Sequence, residues 1–166
     1  QSRRQRQMCI RDRPKIADYE FTTLTPNLGV VLYSDYEKFV VADIPGIIEG
    51  ASTGVGLGTQ FLKHISRTKM LLNIIDGSNK TYEMITDEIE KIHRELETYD
   101  ETLIKKDLWV VINKIDLVSN EELNGLRNKF NMTKLVVYFV STVTKIGIEE
   151  LTDNIYEFLK YENRIK

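Results

Sequence analysis

Short apolar runs alternate with longer runs of helical period along most of this chain, and that alternation restricts the folds open to it more than any other feature. The runs at 70–75, 108–112 and 135–140 are almost continuously apolar, the mark of strands buried on both faces. The stretch 82–99 places Ile85, Ile89, Ile92 and Leu96 on one helical face, and 121–130 predicts a second helix. A last helix runs from 148 to about 161 and carries Leu151, Ile155, Phe158 and Leu159. Upstream, 28–33 and 39–42 flank the polar 34–38 and predict a hairpin, while 60–67 predicts a short helix. Five glycines within 46–58 predict a loop there. Strands alternating with helices predict an α/β fold, a mostly parallel sheet with helices on both faces. Ligands of such sheets bind beyond the carboxyl ends of the strands, so the residues just after each strand are the candidates for a site.

Length and composition exclude several classes. The 166 residues suit one domain, and 42% hydrophobic with 29% charged is ordinary for a globular protein. Cys9 is the single cysteine and excludes an internal disulfide. No apolar run approaches the roughly 18 residues of a membrane span, so a cytoplasmic protein without a membrane span is expected. The net charge of −2 hides an uneven distribution: residues 1–15 carry +5 and the remainder −7. Residues 1–13 show no period and read as a non-native or disordered basic segment ahead of a domain at 14–166. A basic arm on an acidic body also fits an RNA-binding tail.

Asn113, Lys114, Ile115 and Asp116 follow the run at 108–112. A carboxylate in the fourth place can accept hydrogen bonds from the ring N–H and the exocyclic amine of guanine. Adenine presents a lone pair at that ring nitrogen and would leave the carboxylate unpaired, a loss of a few kcal/mol. Asn113 can tie neighbouring loops together, and the stem of Lys114 can lie along the base. After the next strand come Ser141, Thr142 and Val143. Their backbone N–H groups can meet the guanine carbonyl oxygen, although Ser or Thr after a strand is also an ordinary helix cap. Asp43, Ile44, Pro45 and Gly46 follow the run at 39–42. There an Asp can hold a Mg²⁺-bound water and a glycine N–H can touch a γ-phosphate. The glycines after it suit a segment that reorders on hydrolysis. Phe21, Thr22, Thr23, Leu24 and Thr25 form a second switch candidate, in which a threonine hydroxyl completes the Mg²⁺ shell; without the other motifs, β propensity is the better account of a threonine pair. Trp109 reads as core, and His64 and His93 lack partners at metal-ligand spacing.

Residues 14–31 (PKIADYEFTTLTPNLGVV) and 42–76 (ADIPGIIEGASTGVGLGTQFLKHISRTKMLLNIID), with 113–116 and 141–143, closely resemble the Obg (CgtA) family of bacterial GTPases. The resemblance covers essentially everything from Pro14 onward, and F-T-T-L-x-P-N-L-G is its most specific part. It implies a P-loop NTPase-type G domain that binds GTP and GDP with Mg²⁺ and hydrolyses GTP to GDP. It also implies work on the large ribosomal subunit, with its rRNA and proteins as partners, and in stress responses. By the same match Thr23 is a Mg²⁺ ligand in the first switch, and Asp43, holding Mg²⁺ through water, opens the second with Gly46. No side chain is marked as the catalyst. Ile47 stands where Ras-like proteins place a water-orienting glutamine, so the resemblance implies that a monovalent cation or a ribosomal group orients the water, and that intrinsic hydrolysis is slow.

The sequence holds no G-x-x-x-x-G-K-[ST] phosphate loop, which family spacing would end about where Ser2 and Arg3 stand. The expectation is therefore a G domain lacking its N-terminal strand, phosphate loop and first helix, inactive alone and binding GTP no tighter than about millimolar. Two other readings remain. One is a degenerate, non-catalytic G-domain module that binds RNA or the ribosome through its basic arm. The other is a DRG- or YchF-like GTPase, against which Pro26, Asn27, Leu28 and Gly29 argue.

Overall fold

The computed structural model describes residues 27–34, 36–43 and 67–164. The chain divides into two compact units, residues 1–45 and 46–166. In the first, β1 (Asn27–Leu32) and β2 (Lys38–Asp43) form an antiparallel hairpin in which Val30 faces Val40 and Leu28 faces Ala42. Valines and aromatics suit a pleated surface. Polar residues close the turn, where the Tyr33 and Ser34 N–H groups both donate to the Glu37 carbonyl at 2.9 and 3.2 Å. The predicted loop at 46–58 and the helix predicted at 60–67, Arg67 apart, lie outside the described residues.

Among its described residues, the second unit holds three parallel strands in the order β3 (Met70–Asp76), β4 (Asp107–Asn113) and β5 (Val137–Phe139). Helix α1 (Tyr82–Tyr99) connects β3 to β4, α2 (Asn120–Asn131) connects β4 to β5, and α3 (Ile148–Arg164) follows. Register puts Ile75, Ile112 and Phe139 side by side on one face of the sheet. Ile85 and Ile89 of α1 and Leu126 and Phe130 of α2 pack there, around the buried Ile75, Val110 and Ile112. The alternate residues face the other way. Trp109 lies 5.3 Å from the Tyr138 ring and 5.5 Å from Phe158 of α3. Helices thus cover both faces, and Trp109 is core.

The apolar stripe of α1 explains its placement, because Ile85, Ile89, Ile92 and Leu96 are all buried and each buried side chain contributes about 1.5–3 kcal/mol. Thr81 caps the helix by accepting the Met84 N–H, and a reciprocal Ser119–Glu122 capping box opens α2. The two helices are joined by Lys129, whose Nζ lies 3.0 Å from Glu83 and 5.0 Å from the Tyr82 ring. A hydrogen bond from its own backbone N–H, followed by that from Lys129, holds the Glu83 carboxyl down at about 2.

Two strands differ from the sequence expectation. β3 is not buried on both faces: Ile74 is 63% exposed, because α3 lies over Trp109 and Tyr138 further along the sheet. β5 spans three residues and not 135–140, although Val136 and Val140 continue its hydrogen bonds to β4 at 2.9 and 2.8 Å. No described helix is long and apolar enough to cross a membrane.

Ile85 is wholly buried and its neighbour Met84 is half exposed. Ile85→Ala is expected to cost about 2–5 kcal/mol by opening a cavity, and Met84→Ala no more than about 0.5 kcal/mol. Urea unfolding of both variants checks the difference; equal losses would show that α1 does not pack by this face.

Candidate guanine-recognition site

Parallel strands end at the same edge of their sheet, so the residues after β3, β4 and β5 are gathered by topology alone. Backbone bonds lock those ends together. The Gly77 N–H donates to the Asn113 carbonyl at 2.8 Å, and the Ile115 N–H to that of Val140 at 3.2 Å. Gly77 cannot be another residue without movement, since a Cβ there would sit 2.6 Å from Ile112 Cγ2 and 3.1 Å from the Asn113 oxygen.

β4 stops at Asn113 because Lys114 takes the left-handed conformation, φ 64° and ψ 35°. That conformation is costly for a side chain bearing a Cβ and collects at binding sites. The reversal starts a 3-10 turn, Ile115–Leu117, which buries Ile115 and leaves Asp116 exposed. Asn113 meets the next loop twice: its Oδ1 accepts the Thr142 N–H at 3.1 Å, and its Nδ2 lies 3.5 Å from Thr142 Oγ1. Ser141 is fully buried, with its N–H on the Ile146 carbonyl at 2.9 Å and its Oγ accepting the Thr144 N–H at 3.0 Å. The loop closes through Gly147 at φ 73°, where a Cβ would lie 2.4 Å from the Phe139 carbonyl oxygen. Of the three N–H groups at 141–143, those of Ser141 and Thr142 are thus spent inside the protein. The Val143 N–H donates to no described residue, and Val143 itself is 78% exposed.

The end of β3 joins this cluster. Lys114 Nζ is paired with Asp76 Oδ2, and Asp76 Oδ1 accepts both the N–H and the hydroxyl of Ser78, at 2.9 and 2.6 Å. Lys114 first, then the Ser78 hydroxyl, holds the Asp76 carboxyl well below its ordinary value.

The structure therefore brings together Asn113, Lys114, Ile115, Asp116, Ser141, Thr142 and Val143. Asp43, which ends β2, is exposed and belongs to the first unit. Phe21, Thr22, Thr23, Leu24, Thr25, Ile44, Pro45 and Gly46 lie outside the described residues. Sequence reasoning missed Asp76, Gly77 and Ser78. The signal was available, since a carboxylate, a glycine and a hydroxyl directly follow a strand, as the other candidates do.

A parallel sheet with helices on both faces and an Asn-Lys-x-Asp cluster at its carboxyl edge suits one class, the α/β guanine-nucleotide-binding domains. Residues 6–114 match the 50S ribosome-binding GTPase family, and the chain belongs to it. The protein named GTPase Obg from Thermoanaerobacter sp. (strain X514) is 46% identical over 152 residues, 91% of this chain and 36% of that protein. GTPase Obg from Thermodesulfovibrio yellowstonii is 49% identical over 140 residues, covering 84% and 42%. GTPase Obg from Buchnera aphidicola subsp. Baizongia pistaciae is 44% identical over 154 residues, covering 91% and 46%. The chain spans less than half the length of these curated relatives. The crystal structure of a nucleolar GTP-binding protein 1 from Plasmodium falciparum shares the fold, with a TM-score of 0.50 at 21% identity over 83% of this chain and 73% of that one.

Two outcomes follow from the geometry. Gly77→Ala is expected to lose about 1–3 kcal/mol of stability by overpacking against Ile112, read as a lowered melting temperature; an unchanged melt would mean that β3 and β4 are not held this closely. A carboxyl whose folded pKa is depressed keeps its ties above the ordinary carboxylate range and loses them only as pH falls through the lowered value. The Ser78 amide resonance should therefore stay fixed from about pH 7 to about pH 4. A midpoint at or above 3.8, the ordinary value for Asp76, would contradict the observed ties.

Proposed function

We propose that this protein binds guanine nucleotides with Mg²⁺, hydrolyses GTP to GDP, and acts in the cytoplasm on the large ribosomal subunit, in its assembly and in stress responses. The observation that carries the reading is the placement of Asp116, exposed on a turn fixed by the left-handed Lys114 beside the Asn113–Thr142 bonds. Asp116 accepts the ring N–H and the exocyclic amine of guanine. The Val143 N–H, unspent within the described residues, is the donor for the carbonyl oxygen. Asn113 holds the two loops at the spacing these contacts need. The relatives' name, GTPase Obg, supports the reaction, and the family's description as 50S ribosome-binding supports the partner.

Asp43 is an exposed hard-oxygen donor at a strand end and fits Mg²⁺, which takes one or two carboxylates and keeps several waters. Thr23 would hold the metal beside it, and the metal would neutralise phosphate charge. Gly46 would offer its N–H to the γ-phosphate. Ile47, being apolar, orients no water, which is consistent with slow hydrolysis that a bound monovalent cation or the ribosome accelerates.

Titration with GDP, ADP and XDP followed by amide resonances tests the base reading even at millimolar affinity. Asp116→Asn is expected to lose the preference for GDP over ADP by at least tenfold, about 1.4 kcal/mol, and to gain affinity for XDP. Xanthine has a second carbonyl, which needs the donor that an Asn amide supplies. A variant that still prefers GDP would show that Asp116 does not read the base.

A further inference from the structure

We propose that Asp76 is a positioning residue for base recognition: it fixes the stem of Lys114 as the wall against which the flat face of the purine lies. The inference rests on the guanine-nucleotide reading above and adds a group from a third strand end to it. A lysine on an exposed turn ordinarily leaves its four-carbon stem free to sample rotamers. Here the stem is held at both ends, at Cα by the left-handed turn and at Nζ by Asp76 Oδ2. The carboxylate is itself fixed, because its other oxygen takes the N–H and the hydroxyl of Ser78. Between those two residues Gly77 is bonded to the Asn113 carbonyl at 2.8 Å, immediately before Lys114, with no space for a Cβ. The turn that aims Asp76 is therefore bolted to the turn that carries Lys114.

A held lysine stem is an apolar strip with its charge at the far end, and it can cover a planar apolar surface. Pairing with Asp76 also keeps the ammonium directed to the β3 end of the site. Stability alone is a poor explanation for the arrangement. The side chains of Lys114 and Asp76 are 48% and 39% exposed, and ion pairs so open to water add little to folding. What three donors on one exposed carboxylate do secure is a direction.

The test uses the 166-residue chain, titrated with GDP and with ADP and followed at the Thr142 and Asp116 amides. Asp76→Asn keeps the shape and can still accept from Ser78, but releases the ammonium. It is expected to weaken GDP binding at least fivefold and to melt as the parent chain does. Lys114→Ala is expected to weaken GDP binding at least as much. The double variant should bind no more weakly than Lys114→Ala alone, because Asp76 acts through the lysine. Losses that multiply in the double variant, or an Asp76→Asn chain that binds GDP as the parent does, would overturn the inference and leave the guanine reading standing. A parent chain that binds GDP and ADP alike would overturn both.

Discussion

The parallel pairing of β4 with strands on both of its edges is the constraint on which the rest of the second unit depends. Val110 to Ile112 are buried on both faces, and a backbone in that position has no solvent to satisfy its N–H and C=O groups. The ladders to β3 and β5 supply the partners. Parallel pairing cannot be made by a tight turn, so each connection must pass over the sheet, and helices do this while meeting their own hydrogen-bonding needs. The apolar stripes of α1 and α2 follow from that requirement, as does the cover that α3 provides for Trp109.

The same pairing produces the site. Three strands pointing the same way deliver three loops to one edge, where the regular ladder ends and side chains take over. Lys114 carries backbone strain there, and the strain is offset by bonds that fasten each loop to the next: Gly77 to Asn113, Ile115 to Val140, and Asn113 to Thr142. Polar groups at this edge are used in pairs, each fixing another. Asp116 is left exposed with its backbone set by the turn, and the Val143 N–H donates to no described residue.

Much of this was legible in the residues, for a physical reason. Helix 82–99 is legible to its ends because burying one stripe of an 18-residue helix demands Ile85, Ile89, Ile92 and Leu96 at that spacing. The hairpin is legible from two apolar runs about a polar turn, and the N-K-x-D cluster from its place after a strand. These are local patterns, written in consecutive residues. The exposure of Ile74 was not legible, because an apolar run is the same whether or not a helix covers its second face.

What the sequence by itself determined is thus the main strands and helices of the described residues, their order, and the placement of Asn113, Lys114 and Asp116 at the end of one strand. Period and side-chain type are properties of short stretches. What only the tertiary structure decided is which groups remain available once those elements meet. Thr142, 29 residues from Asn113, spends its N–H on that side chain, and Asp76, 38 residues from Lys114, takes the lysine's charge. Both contacts depend on the register of β3, β4 and β5, and register is set by packing across the whole sheet, which no short stretch of chain encodes.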